Sequence, residues 1–133
     1  MEIKNNIKNI YERIEKACDK SGRDSDSVKL VAVSKRFTTD KILEAFEAGI
    51  RDFGENYAQE FRDKYKEIDS SINDLINWHF IGNLQKNKIK YVAGNTKLIH
   101  TLDSESLAEG LNKKAKDLGV VINCLLEVNI SGE

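Results

Sequence analysis

A regular alternation of short apolar runs with amphipathic segments is the feature that most constrains the fold of this chain. Five runs rich in Val, Ile, Leu and aromatic residues predict strands, and segments with apolar residues three and four positions apart predict helices. The predicted strands cover residues 28–34, 50–55, 76–82, 97–103 and 120–130. They recur at roughly 20 to 27 residues, the spacing of successive βα units. The pattern therefore predicts a parallel sheet with right-handed crossover connections.

Apolar spacing also locates the helices. A leading helix is predicted from the start of the chain to near Gly22, and further helices are predicted after each of the first four strands. Thr38 or Thr39 is the expected N-cap of the helix that follows the first strand. The residues expected to face inward are Ile3, Ile7, Ile10, Ile14, Ala17, Ile42, Leu43, Ala45, Phe46, Tyr57, Phe61, Tyr65, Ile68, Leu107, Leu111, Ala115 and Leu118.

Composition is typical of a single globular domain. The 133 residues, about 40% apolar with a net charge of −1, suffice for one core and give no overall attraction to nucleic acid or acidic lipid. We expect one α/β domain over residues 1–133, with the leading helix at 1–22 and βα units at 28–133. Cys18 and Cys124 are far apart, so neither a disulfide nor a metal site is expected. No segment approaches the ~20 apolar residues that span a bilayer, so we expect a cytoplasmic protein.

The chain ends soon after the fifth predicted strand. A complete (β/α)8 barrel takes about 250 residues, so we expect an incomplete barrel of about five βα units. The outer strands of such a sheet expose unpaired backbone groups. The expected consequences are a homodimer formed through half-barrel edges, an exchange of elements between copies, or an origin in a longer protein.

Polar residues cluster where the predicted strands end, at residues 34–35, 54–57, 79–82, 101–103 and 129–131. In a (β/α)8 barrel the carboxyl ends of the strands carry the functional residues. Each polar strand end by itself is explained as well by simple solvation. Their coincidence at one rim favours a functional site.

Lys35 is the most informative of these residues. It directly follows the apolar run that ends in "VAVS". We expect its amine to be partly desolvated, which favours the neutral form and makes it a better nucleophile towards an aldehyde. Schiff-base chemistry is one interpretation of this lysine, and a solvated charge at a strand end is the other.

Four segments together resemble a known family. "VAVSK", "FGENYAQE", "WHFIGNLQKNK" and "LLEVNISGE" occur in order from about residue 28 to the last residue, and they are similar to the signature segments of the YggS-like pyridoxal phosphate homeostasis proteins. The resemblance implies a barrel of the alanine racemase N-terminal-domain type, a TIM (β/α)8 barrel that binds pyridoxal 5′-phosphate (PLP). It also implies that Lys35 forms the Schiff base with this cofactor.

The resemblance suggests further cofactor contacts, each with a structural alternative. Asn56 is a candidate for a contact with the cofactor or for the N-cap of the following helix. His79 is a candidate at the rim or a satisfied structural histidine, whereas His100 and Tyr57 are expected to be structural. Asn129 is a candidate for the opposite side of the rim or a turn-forming residue.

The implied function is PLP homeostasis, meaning a carrier or buffer of the cofactor without turnover. The alternative is a racemase-like amino-acid enzyme, which needs an acid and a base on both sides of the cofactor. No catalytic residue and no metal are expected, and the resemblance allows PLP-requiring apoenzymes as partners. The clustered Lys86, Lys88 and Lys90 beside Tyr91 are a weaker indication of nucleic-acid binding, which the net charge does not favour. The residues that grip the phosphate are expected to lie beyond this sequence.

Overall fold

The computed structural model describes residues 2–133, and within that range five strands form one parallel sheet in the order β1-β2-β3-β4-β5. The strands are β1 (Ala32–Val33), β2 (Asp52–Glu55), β3 (Asn77–Phe80), β4 (Leu98–Leu102) and β5 (Cys124–Leu126). Because the order in the sheet is the order in the chain, successive crossovers of one hand place their helices on the same face. This is the arrangement of the front of a (β/α)8 barrel, and it confirms the predicted fold class.

The helices connect the strands and precede them. They are α1 (Glu2–Ser21), α2 (Thr39–Glu47), α3 (Ala58–Glu67), α4 (Ser70–Asn73), α5 (Ile89–Val92) and α6 (Glu105–Leu118). Short 3₁₀ turns occupy Ser25–Ser27 and Lys86–Lys88. Helix α6 begins where the Ser104 side chain accepts the Leu107 N–H, and it ends at Gly119 with φ of +66°. Helix α4 was not predicted, because its single turn is too short to show a periodic apolar face.

The apolar core lies between the sheet and the helices. Phe53, Trp78, Phe80 and Ile99 each have at most 1% of their surface exposed, and they pack in one cluster with apolar residues of α2, α3, α5 and α6. The Trp78 ring meets the ring of Phe61 edge-on, with 5.4 Å between centroids. Since side chains alternate along a strand, the neighbouring residues in sequence point to the opposite face, which corresponds to the interior of a barrel.

Both outer strands are shorter than predicted. The strand expected at 28–34 is reduced to the two residues of β1, and the strand expected at 120–130 is reduced to the three residues of β5. Within the described residues, each outer strand has a neighbouring strand on one side only. Fewer interstrand hydrogen bonds are therefore available to hold it in the extended conformation. The expected inward position of Leu118 is wrong, since this residue is 45% exposed at the carboxyl-terminal end of α6.

Within residues 2–133, no helix combines the length and the apolar character needed to cross a membrane.

Candidate functional site

The carboxyl ends of β1 and β2 lie side by side and form one part of the rim of the sheet. Val33 is paired with Gly54, and the Ser34 N–H donates to the Gly54 carbonyl at 2.9 Å. Lys35 follows directly, and its side chain is exposed. The expected desolvation of Lys35 is therefore wrong, because the end of a short edge strand leaves this side chain open to water.

Lys35 occupies the second position of a tight turn from Ser34 to Phe37. The Phe37 N–H donates to the Ser34 carbonyl at 3.1 Å and closes the turn. Arg36, at the third position, has φ of +64°, and within residues 2–133 it is the only residue other than glycine with a positive φ. A non-glycine residue pays of order 1–3 kcal/mol for such a conformation. Strain of this kind persists only where surrounding contacts impose it.

Those contacts come from a buried lysine on α3. Lys64 is 6% exposed, and its ammonium group donates to the Ser34 carbonyl at 2.7 Å and to Oε1 of Glu55 at 2.6 Å. It also donates to Oε1 of Glu60 at 2.8 Å, and the same oxygen accepts the backbone N–H of Arg36. The turn that carries Lys35 is thus held on both sides of the lysine by one hydrogen-bonded network.

The two carboxyl groups around Lys64 differ in burial and therefore in pKa. Glu55 is fully buried, and burial raises the pKa of its carboxyl, although hydrogen bonds from Lys64 and Ser34 oppose the effect. Burial also disfavours the ionised form of Glu60, but hydrogen bonds from Lys64 and from the Arg36 N–H outweigh it, so the Glu60 pKa lies below its ordinary value. Glu60 is accordingly the more firmly ionised partner of the lysine.

A cavity of about 1000 Å³ opens at the same rim of the sheet, where β2, β3, β4 and β5 end. The side chain of Asn56 lines it, and Oδ1 of Asn56 is buried with no hydrogen-bond partner among the described residues. The chain passes very close at Gly82, where a Cβ would lie 2.0 Å from the Asn56 carbonyl oxygen. Other residues that line the cavity are Thr101, Asp103, Glu127, Asn129, Ser131 and Glu133.

His79 lies on the barrel-interior face of the sheet, in a chain of hydrogen-bonded polar side chains. Its Nε2 is 2.8 Å from Oδ1 of Asp52, and its Nδ1 is 2.9 Å from Nε2 of His100. With Asp52 ionised, these contacts require that neutral His79 donates to Asp52 and accepts from His100. Burial and the neighbouring His79 lower the pKa of His100. Both histidines are therefore engaged with each other, which is the structural alternative considered for His79.

The structure brings some of the candidate residues together and leaves others apart. Asn56 and Asn129 line the same cavity, whereas Lys35 and His79 are not among its lining residues. Asn129 also shapes its own turn, donating to the Glu133 carbonyl and accepting the Gly132 N–H, both at 2.8 Å. Lys35 reaches the rim from the neighbouring strand end.

The N-cap alternative for Asn56 and the expected packing of Tyr57 are both wrong. The N-cap of α3 is Tyr57 rather than Asn56, and no side-chain hydrogen bond caps that helix. The Tyr57 side chain, expected to pack inward, is 47% exposed because the helix begins only after it.

Sequence reasoning missed the Lys64 network entirely. The spacing of Glu60 and Lys64 is the i,i+4 spacing of a helical ion pair and was visible in the sequence. Such pairs usually lie on an exposed helix face, and nothing local indicates that Lys64 points under the rim instead.

Comparison with known proteins identifies related sequences. No family model matches the chain. It is 41% identical to the pyridoxal phosphate homeostasis protein of Aquifex aeolicus, over 96% of this chain and 54% of that protein. It is 37% identical to the protein of the same name from Escherichia coli, over 99% of this chain and 56% of that protein. The chain thus spans about half the length of the curated relatives that it matches.

Two solved structures share the fold. A crystal structure of an unknown protein from Bifidobacterium adolescentis has a TM-score of 0.91 and 34% sequence identity, covering 99% of this chain and 56% of that one. PipY of Synechococcus elongatus, in a structure with PLP bound, has a TM-score of 0.72 and 37% identity, covering 88% of this chain and 54% of that one.

Proposed function

The chain belongs to the pyridoxal phosphate homeostasis protein family over the part of those proteins that it spans, and from that premise we propose that it holds PLP covalently through Lys35. Its function is then to carry or buffer the cofactor. The observation that carries the proposal is the exposed lysine at the end of β1, held on a strained turn at the rim of the sheet. PipY, a relative with this fold, has PLP bound in its crystal structure.

The residues at the rim fit such a cofactor. The Lys35 amine is accessible to an aldehyde, and when bound PLP supplies that aldehyde on an aromatic ring. Neutral Nζ of Lys35 attacks the aldehyde carbon and one water leaves, so the adduct is reversed by hydrolysis. Asn56 offers a buried oxygen without a partner among the described residues, which suits a donor on a bound ring. Glycine at position 82 lets the rim close tightly beside Asn56.

A carrier rather than an enzyme is the reading that the side chains favour. The titratable side chains that line the cavity, within residues 2–133, are the carboxyl groups of Asp103, Glu127 and Glu133. His79 and His100 are hydrogen-bonded to each other on the interior face. A racemase-like reaction needs an acid and a base on opposite faces of the cofactor, whereas the titratable groups lining this cavity within residues 2–133 are all carboxyl groups. The names of the relatives likewise refer to homeostasis.

The proposal extends to partners and compartment. The exposed β5 edge, with Leu126 at 77% and Ile130 at 94% exposure, would be covered by a second copy of the chain in a homodimer. PLP-requiring apoenzymes are the proposed recipients of the cofactor. The cysteines Cys18 and Cys124 are free thiols, which suits a reducing compartment such as the cytoplasm.

Borohydride trapping tests the central proposal. The chain is incubated with PLP, the adduct is reduced, and the modified lysines are mapped by peptide mass spectrometry. We expect one dominant adduct on Lys35, lost in Lys35→Ala and retained in Lys41→Ala, a change at a nearby exposed lysine. Labelling spread over many lysines and unchanged in Lys35→Ala would contradict the proposal. Turnover of an added amino acid by the PLP-loaded chain before reduction would favour the racemase-like alternative.

A further inference from the structure

We infer that Lys64 is a positioning residue for Lys35: by holding the backbone on both sides of Lys35, it fixes the direction from which the amine meets an aldehyde. The inference rests on the proposed function, because it concerns the lysine assigned there to cofactor binding. Lys64 itself is 6% exposed and lies behind the rim, so it does not serve as the lysine that is modified.

The first step in the argument is the strain in the turn. Arg36 has φ of +64°, and an arginine free to relax would return to the common region with negative φ. Such a change would reorient the peptide units on either side of Arg36, one of which joins Arg36 to Lys35. An observed backbone outlier that the surroundings maintain is a reason to look for a function at that point.

The second step is the identity of the contacts that maintain the strain. Lys64 holds the Ser34 carbonyl at 2.7 Å, on the amino-terminal side of Lys35. On the carboxyl-terminal side, Glu60 accepts the Arg36 N–H and is itself held by Lys64 at 2.8 Å. One ammonium group thus contacts both flanks of the turn, directly at the Ser34 carbonyl and through Glu60 at the Arg36 N–H.

The third step is the rigidity of the anchor. Oε1 of Glu55 accepts both the Lys64 ammonium group and the Ser34 hydroxyl, at 2.6 Å each. Glu55 belongs to β2 and is fully buried, so the network is attached to the sheet rather than to a mobile surface. A group placed by packed, hydrogen-bonded neighbours keeps its orientation better than one placed by solvent-exposed contacts.

The test compares two aldehydes on the same lysine. PLP must approach Lys35 in one orientation, whereas formaldehyde is small enough to react with any exposed amine. In Lys64→Met we expect the rate of Lys35 modification by PLP to fall at least tenfold, measured by borohydride trapping and peptide mass spectrometry. Reductive methylation of Lys35 by formaldehyde should stay within twofold of wild type. Lys66→Met, the same change at an exposed position of α3, should leave both rates unaltered.

A second variant covers the risk that Lys64→Met fails to fold. Glu60→Ala removes the acceptor of the Arg36 N–H at a position where the Glu60 side chain is 25% exposed, and it leaves the pair between Lys64 and Glu55 in place. It should show the same selective loss of PLP labelling, with a normal circular dichroism spectrum. The inference is overturned if folded variants keep the wild-type PLP rate, or if both aldehydes lose reactivity together. An absence of selective Lys35 labelling in the wild-type chain would overturn the proposed function itself, and this inference with it.

Discussion

His79 shows how a single residue can be fixed by partners that lie far away in the sequence. Asp52 and His100 occupy both of its ring nitrogens, and all three side chains lie on the barrel-interior face. With both rings neutral, His79 uses one ring nitrogen as donor and the other as acceptor, and His100 donates through its Nε2. Protonation of His100 would place a positive charge beside His79 in a partly buried position.

The lowered pKa of His100 predicts how stability responds to acid. Burial and His79 depress the folded-state pKa below the ordinary value of 6.5, so the unfolded chain takes up the proton first as pH falls. The free energy of unfolding should therefore decline as pH falls through about 6.5. Well above that pH His100 is deprotonated in both states, so it should cause no such loss. We expect His100→Gln, which keeps an amide donor for His79, to show a shallower decline in urea midpoint between about pH 7.5 and pH 5.5. Equal declines in both proteins would contradict the assignment.

Gly82 is a second position where one residue determines the local path of the chain. A Cβ at Gly82 would overlap the Asn56 carbonyl oxygen, which belongs to the backbone and cannot rotate away. We expect Gly82→Ala to lower the free energy of unfolding by about 1–3 kcal/mol, as overpacking does elsewhere. Urea denaturation measures this loss.

Gly110→Ala is the matched control for this prediction. A Cβ there would approach Cδ1 of Ile89 at 2.9 Å, but that atom ends a flexible side chain. Alanine also favours the helical conformation of α6 by about 1 kcal/mol over glycine. The variant should be about as stable as wild type, and a loss as large as that of Gly82→Ala would mean that the backbone overlap is not decisive.

At the scale of the elements, the helices follow from local signals more closely than the strands do. An amphipathic stripe and a cap are written in consecutive residues, and α6 ends within a residue of its predicted limits. Helix α1 is helical as predicted, but the expected inward positions of Ile10 and Ala17 are wrong: Ile10 is 39% exposed, Ala17 is exposed, and Cys18 is buried instead. The lengths of β1 and β5 were overestimated because strand length depends on the neighbours available for pairing.

The cap of α6 predicts a defined change in stability. Ser104 accepts the Leu107 N–H at 3.2 Å, which satisfies one of the free donors at the start of the helix. Ser104→Ala should lower the free energy of unfolding by roughly 1 kcal/mol. Ser106→Ala, the same change at an exposed position inside the helix, should have no such cost. Thermal or urea unfolding distinguishes the two, and equal effects would count against a capping role.

At the scale of the whole molecule, helices cover one face of the sheet, and the edge at β5 exposes apolar side chains. Within residues 2–133, β5 pairs only with β4, and apolar side chains before and after it are exposed, including Val121, Val128 and Ile130. Exposed apolar edges of this kind favour pairing with another chain.

We predict that this chain self-associates through the β5 edge. Multi-angle light scattering should give about twice the mass of one chain, and the double variant Leu126→Lys, Ile130→Lys should shift the population towards monomer because charged side chains on an edge oppose pairing. Leu75→Lys replaces a leucine before β3 that is 60% exposed, and it should not change the mass. A stable monomer in the unaltered chain would rule this association out.

The sequence alone determined the order and type of the main elements, the parallel βα architecture, the family resemblance and the candidate lysine at the end of β1. Apolar periodicity, caps and short motifs are local properties, so consecutive residues suffice to show them. Only the tertiary structure decided that Lys64 is buried beneath the turn of Lys35, that His79 bonds to Asp52 and His100, and that Lys35 is exposed. Those facts depend on contacts between residues brought together by the sheet and its helices, and on the water that the packing excludes, neither of which a linear pattern contains.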